Sequence, residues 1–363
     1  MTKIGNFFYT VFVKAVWQTF CVQWVWKTFF VAWIYQALWR ELIVKKLQFD
    51  KWKGWVYLLP VLVLIAVFTI WPIINTVRIA FLYNFETNEP YSYLDPNANY
   101  TVTFKNFTDV MLEDTEFLTA MKNTLLLCVI TVPLSTIIAL LIAVCLNAIK
   151  PLQKLLQTIF FLPYVTNSLA IGMVFAVMFD IVGTGFGTMR PDIETEGIMN
   201  TILGWFGAKP VNWIDSGSTY ETKLTVMVIY IVWNALPFKI LVLLGGLQGI
   251  NKQYYDAAKI DGASRTRIFF RVTVPLLSPM LAYVVITGFI GGFKEYSSVV
   301  GIFGDKMGPP AQEWTMQTMV GLIYKALNTQ YQGRASASAL ILFVIIFIVT
   351  MINLRVSKKK THY

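Results

Sequence analysis

Six apolar runs, each long enough to cross a bilayer, recur along the 363 residues and constrain the fold before any other feature does. They cover Trp55–Tyr83, Ala120–Asn147, Leu155–Phe179, Leu224–Leu247, Pro275–Val300 and Ala335–Leu354. A hydrocarbon core of roughly 30 Å takes about 20 helical residues at about 1.5 Å each. Lipid offers no partner for backbone N–H or C=O groups, so a spanning segment must satisfy them internally, as a helix does. Composition agrees: 56% of the residues are hydrophobic and 14% charged, where soluble domains carry about a quarter charged. The expected fold class is all-α, a polytopic membrane protein whose first partner is the lipid bilayer.

Lys and Arg set the orientation. They gather at Arg40, Lys45, Lys46, Lys51 and Lys53, at Lys150 and Lys154, at Lys252, Lys259, Arg265, Arg267 and Arg271, and at Arg355 and Lys358–Lys360. These are alternate loops plus the C-terminal tail. The intervening loops are acidic, with Glu86, Glu89, Asp95, Asp109, Glu113, Asp114 and Glu116 in one and Asp192, Glu194, Glu196, Asp215 and Glu221 in the next. The positive-inside bias then places the C-terminus in the cytoplasm and the loops 84–119, 180–223 and 301–334 outside. It also accounts for the net charge of +10 without any nucleic-acid partner. The expected location is a cytoplasmic membrane, crossed several times.

Residues 1–50 form a separate Trp-rich segment. Ala15–Trp39 holds five tryptophans (Trp17, Trp24, Trp26, Trp33 and Trp39) around a single charge, Lys27. Two arrangements fit it. An extra span costs about 2.5–3.5 kcal/mol for the central lysine, which enough apolar neighbours offset. An interfacial helix suits the tryptophans, although the polar residues do not share one helical face. The multi-spanning remainder runs over residues 51–363.

Several chemistries find no support. The three cysteines, Cys21, Cys128 and Cys145, all lie in apolar stretches, so no disulfide framework is expected. The single histidine is His362, which argues against a histidine metal site or imidazole catalysis. The chain has no G-x-x-x-x-G-K-[ST] phosphate loop, so any ATP must be bound by another chain. No catalytic residues, bound cofactor or metal are expected. Prolines Pro60, Pro72, Pro133, Pro163 and Pro237 fall within spans, as tolerated kinks or as points that widen a path.

The polar stretch Tyr254–Pro279 lies between two apolar runs and reads as helical. Asp256 stands near the start of a short helix, at the positive end of its dipole. Ala257 and Ala258 favour helix and present little bulk. Gly262 suits the left-handed turn that ends a helix, Ser264 the cap of a second one, and Pro275 the first turn of the next span. On spacing alone this is either an ordinary amphipathic loop or a docking element.

The segment resembles the EAA loop of ABC importer permeases: E-A-A, three residues, G, nine residues, I-x-L-P. Here it reads Asp256-Ala257-Ala258, Gly262 and Val272-Thr273-Val274-Pro275, with Asp for Glu and Val for Ile and for Leu. Further matching stretches are Phe104-Lys105-Asn106-Phe107, Asn123-Thr124-Leu125, Phe160-Phe161-Leu162-Pro163, Gly197-Ile198-Met199-Asn200, Leu247-Gln248-Gly249-Ile250, Ile260-Asp261-Gly262-Ala263 and Gly308-Pro309-Pro310. Over about residues 55–355 the chain is similar to binding-protein-dependent permeases of the carbohydrate-uptake type. The resemblance implies a MetI-like type I importer fold, with six core helices plus the extra N-terminal one. It implies a coupling loop over 251–275, with Tyr255, Asp256, Ala257, Ala258, Asp261, Gly262, Ala263 and Pro275 meeting an ATPase. It also implies a second, homologous permease subunit, two ATPase subunits carrying ATP and Mg, an extracytoplasmic solute-binding protein, and an oligosaccharide or other carbohydrate as substrate. The competing class is a partner-independent secondary transporter or channel, which inverted repeats and intramembrane acids would mark. No clear repeat is seen and acids are sparse within the spans.

The ionisable residues Lys239, Lys294 and Glu295 fall inside or at the ends of spans and are default functional candidates. Lys294 and Glu295 either snorkel or pair, or they touch a substrate. The resemblance places Asn234, Ala235 and Phe238 in one wall of a substrate path and Gly288, Gly291, Gly292 and Glu295 in the other. The glycines serve close helix packing or make room for a bulkier solute. The run Ala335–Ala339 reads as a helix interface.

Overall fold

The computed structural model describes residues 53–83, 85, 101–149, 155, 158, 159, 164, 166–180, 197–329 and 331–360. The Trp-rich segment 1–50, with its choice between span and interfacial helix, lies outside the described residues. The chain forms two compact units, Met1–Ile73 and Ile74–Tyr363.

The first candidate span, Gly54–Ala80, joins α1 (Lys53–Ile65) to α2 (Trp71–Ala80) through a π turn at Ala66–Ile70. That π turn ends just before Pro72. A second π turn, Phe269–Thr273, ends just before Pro275. A proline clashes with the carbonyl four residues back, and a wider turn relieves that clash.

In the second unit, α2 runs into a short hairpin. Leu82–Tyr83 (β1) pairs antiparallel with Thr101–Val102 (β2), with Leu82 opposite Val102. Next come α3 (Lys105–Thr108), α4 (Thr115–Ala148), α5 (Ser168–Phe179), α6 (Ile198–Trp205) and α7 (Tyr220–Gly249). The chain continues as α8 (Lys252–Ile260), α9 (Arg265–Ile268), α10 (Val274–Leu276), α11 (Ser278–Phe293), α12 (Ser297–Phe303), α13 (Met319–Asn328) and α14 (Gln332–Lys360). Helices α4 and α7 pack along each other, α11 lies against α4 and α14, and α5 crosses α12.

Among the described residues, four helices are long and apolar enough to cross a membrane: Gly54–Ala80, Thr115–Ala148, Tyr220–Gly249 and Gln332–Ser357. The pair Arg265–Leu276 and Ser278–Phe293, bent by 66°, makes a fifth if it is one span.

Two expected spans are built differently. The run Leu155–Phe179 is not one helix. The chain leaves helical geometry at Thr166–Asn167, and the Asn167 side chain accepts from Leu169 N at 2.9 Å, starting the 12-residue α5. Asn prefers this capping role to a helix interior. The run Pro275–Val300 breaks at Leu277, so Pro275 sits in α10, and Pro279 occupies the first turn of the span. The span stops at Phe293, behind Gly291 and Gly292 and before the adjacent charged residues Lys294 and Glu295, and α12 follows as a separate helix. The 301–334 stretch, read from the sequence as a loop, contains the end of α12 and all of α13.

Buried polar side chains fix these elements. Asn106 Nδ2 donates to Ala80 O at 3.0 Å and Leu82 O at 2.9 Å, closing the hairpin onto α3. Asn123 Nδ2 donates to Thr315 O and Gln317 O, both at 2.9 Å, and its Oδ1 accepts from Tyr220 Oη at 2.8 Å. Thr124 Oγ1 accepts from Met319 N at 3.0 Å, capping the contact between α4 and α13. Ala335 and Ala337 are wholly covered and Ser338 nearly so, which matches the expected interface on α14.

Candidate coupling helix and transport path

Helix α8 is specified at both ends. The Asn251 side chain accepts from Gln253 N at 3.0 Å. At the other end Gly262 adopts φ +73°. There Gly262 N donates to Lys259 O and Ala263 N to Ala258 O, each at 3.0 Å. These two bonds form a Schellman cap, which needs a residue with positive φ at the position of Gly262. The expected left-handed turn is therefore present. So is the second cap, since Ser264 Oγ accepts from Arg267 N at 3.3 Å.

No residue of α8 is buried. Asp256, Ala257, Asp261 and Gly262 are exposed, while Tyr255, Ala258 and Ala263 are half-buried. Asp256 pairs with Lys259 at 3.2 Å on the open surface, which is worth little by itself. Ile260 is 86% exposed. The Tyr255 hydroxyl accepts from Thr273 Oγ1 at 3.4 Å, facing α8 toward the π turn that leads into the bent span. The helix is thus rigid, capped and uncovered, and it stands at the head of a span.

All seven residues expected along the path line one cavity of about 280 Å³: Asn234, Ala235, Phe238, Gly288, Gly291, Gly292 and Glu295. Thr131, Val132 and Ser135 of α4 join them, with Tyr164, Ile231, Lys239 and Thr287. Phe238 stacks on Tyr164, with ring centroids 6.0 Å apart and planes at 19°, and lies 6.2 Å from Tyr283. The aromatic wall is therefore a group of rings from three parts of the chain.

The three glycines do different things. A Cβ on Gly288 would come 3.1 Å from Val132 Cγ1 and 3.2 Å from Lys239 Nζ, and one on Gly292 would come 2.9 Å from Cys128 Sγ. Both allow close packing on α4. A Cβ on Gly291 would meet nothing within 4 Å, so that position leaves open space.

The ionisable candidates also separate. Lys294 is exposed. Glu295 is half-buried and accepts from Ser298 Oγ, and among the described residues no Lys or Arg pairs with it. Lys239 is 3% exposed, and its ammonium donates to Ser135 Oγ at 2.7 Å, Thr136 Oγ1 at 2.9 Å and Val132 O at 3.1 Å. Its three N–H donors thus have three acceptors, all on α4.

Sequence reasoning missed Thr131, Ser135, Thr136 and Tyr164. The signal for the α4 group was present: Thr131 and Ser135 are four residues apart in an apolar helix, so they share a face. Tyr164 carried no such signal. A larger hollow of about 670 Å³ lies between the end of α7 and the α10–α11 bend, lined by Leu241, Gly245, Gly249, Leu276 and Met280 among others. Apart from Asn251 and Tyr254 its lining lacks polar side chains that would orient a hydroxylated solute.

A bundle of apolar helices around a cavity that carries Asn234, Lys239 and Glu295, with a capped helix displayed at the head of a span, has the make-up of a membrane transport subunit. The profile of the family described as "Binding-protein-dependent transport system inner membrane component" matches residues 132–362, and the chain belongs to that family. It is 28% identical over 324 residues to the arabinooligosaccharides transport system permease protein AraP of Bacillus subtilis, covering 89% of this chain and 92% of that one. It is 28% identical over 319 residues to the trehalose/maltose transport system permease protein MalF of Thermococcus litoralis, covering 87% and 97%. It is also 28% identical over 298 residues to a probable ABC transporter permease protein of Mycoplasma genitalium, covering 81% and 82%. Among solved structures, a bacterial ABC transporter involved in the import of the acidic polysaccharide alginate matches with a TM-score of 0.66 at 21% identity, covering 86% of this chain and 96% of that one. That likeness establishes the shared fold.

Proposed function

We propose that the chain moves an oligosaccharide or other carbohydrate inward across a bacterial or archaeal cytoplasmic membrane by alternating access. Relatives named for arabinooligosaccharide, trehalose/maltose and lactose transport support the solute class. The chain itself is non-catalytic. Two ATPase subunits hold ATP and Mg below, a homologous permease subunit completes a heterodimer with six core helices contributed by this chain, and an extracytoplasmic binding protein delivers the solute. The C-terminus lies in the cytoplasm, a placement that the distribution of Lys and Arg supports. Family membership weighs against the partner-independent secondary transporter or channel.

The observation that carries this reading is the uncovered, doubly capped α8 with no buried residue. Closure of the ATPases moves α8 as a rigid body, and the Tyr255–Thr273 contact passes the motion toward α11. In the cavity Asn234 and Glu295 bond sugar hydroxyls, while Phe238 and Tyr164 cover an apolar sugar face. Uptake of a labelled oligosaccharide by cells carrying Ala257→Arg tests the coupling. The variant inserts normally and loses uptake, and unimpaired uptake at normal membrane level contradicts the proposal.

A further inference from the structure

Two large rings at the tip of α6 stand in the open. Trp205 is 78% exposed and Phe206 83%. Nothing about the tip is loose. Gly207, at φ +76°, closes a Schellman cap in which Gly207 N donates to Gly204 O at 2.9 Å and Ala208 N to Leu203 O at 3.1 Å. Behind it, Asn200 is buried and clamps the returning chain. Its Nδ2 donates to Val211 O at 3.0 Å, and its Oδ1 accepts from Val211 N at 3.1 Å and Trp213 Nε1 at 3.0 Å. The fold therefore holds both rings away from the rest of the protein.

The depth of the tip follows from where α6 begins. A Cβ on Gly197 would fall 1.9 Å from Asp180 O, so α6 starts directly against the end of α5. The outer face of α5 carries exposed Met173, Val174 and Val177, the surface a membrane helix offers to lipid. At eight residues, α6 reaches about 12 Å from that end. The head-group region on each side of a bilayer is about 5–8 Å deep. The tip therefore lies no more than about 12 Å from the end of an apolar helix, within reach of that zone when α6 runs along the membrane surface. Its chemistry matches that zone. From Gly197 to Ile214 there is no acid, and Lys209 follows the rings by three residues, whereas Glu196 and Asp215 flank this stretch directly. Tryptophan concentrates at membrane interfaces, where lysine reaches the phosphates.

We infer that Trp205 and Phe206 form an interfacial anchor that inserts into the lipid head-group region beside α5, with Lys209 against lipid phosphate. The anchor fixes the 197–213 segment at the membrane surface and leaves the transport cavity untouched.

Spin labels test it. In the full-length chain with Cys21, Cys128 and Cys145 replaced by Ala, the variants Trp205→Cys and Phe206→Cys each take a nitroxide. The labelled chains are reconstituted in phosphatidylcholine–phosphatidylglycerol vesicles. Val174→Cys reports lipid and Ser216→Cys reports water. The inference expects labels at 205 and 206 to collide with oxygen several-fold more than with a water-soluble nickel chelate, as at 174. Nickel accessibility matching that at 216 would overturn it, leaving the rings free for a soluble partner. Protection from both reagents would overturn it equally, since protein would then cover the tip. Two independent sites keep the test valid if one variant misfolds.

Discussion

The Lys239 ammonium of α7 lies 2.7 Å from Ser135 Oγ of α4, and no carboxylate shares the contact among the described residues. A buried cation held only by neutral oxygens ties two long helices together beside the cavity.

This arrangement predicts an asymmetry. Without Lys239, Thr136 Oγ1 still bonds Val132 O at 2.7 Å and Ser135 Oγ bonds Val132 O at 3.2 Å within α4. Without the hydroxyls, the buried ammonium keeps one acceptor, Val132 O. Ser135→Ala with Thr136→Val should destabilise by about 3–5 kcal/mol, and Lys239→Met by clearly less. Unfolding midpoints in detergent check the order, and equal losses would refute the assignment.

Gly172 and Gly301 let α5 and α12 touch backbone to backbone. A Cβ on Gly172 would sit 2.8 Å from Gly301 Cα. Gly172→Val should cost about 1–3 kcal/mol or more, because backbone must move. Gly204→Val, at a site where a Cβ meets nothing within 4 Å, should change stability by less than about 1 kcal/mol, since valine is a slightly better helix former than glycine. Thermal unfolding of the two variants measures the difference.

Gly291 separates room from packing. Gly291→Leu should leave expression and thermal stability near normal, yet reduce uptake of longer oligosaccharides more than that of disaccharides. Gly292→Leu, which would drive a side chain into Cys128, should lower stability itself. Uptake against chain length, paired with melting curves, distinguishes them.

The caps of α8 and α9 were legible because their signals are local. Asn251, Gly262 and Ser264 act on neighbours within a few residues. Family spacing picked out seven residues for a path, and all seven meet in one cavity. The rest depends on distant partners. Nothing near Lys239 in sequence announces Ser135 and Thr136, about a hundred positions away, and Gly172 gives no hint of Gly301. The breaks at Asn167 and Leu277 were hidden because hydropathy continues across them, whereas capping and Pro279 decide where a helix starts.

Gly262 also sets a conformational requirement. Gly262→Ala places a Cβ at φ +73°, a strain of about 1–2 kcal/mol confined to one turn. Gly262→Asn, which tolerates that region better, should retain more uptake than Ala, and Gly262→Pro should abolish it. Uptake rates normalised to membrane level give the ranking.

The most direct test places a cysteine at Ala257 in the cysteine-free full-length chain and crosslinks intact cells or isolated membranes. The account predicts an adduct with a nucleotide-hydrolysing subunit, with a yield that changes when ATP is bound. An absence of any such adduct at normal expression, or reaction of the 257 thiol with an impermeant reagent from outside the cell, would contradict it.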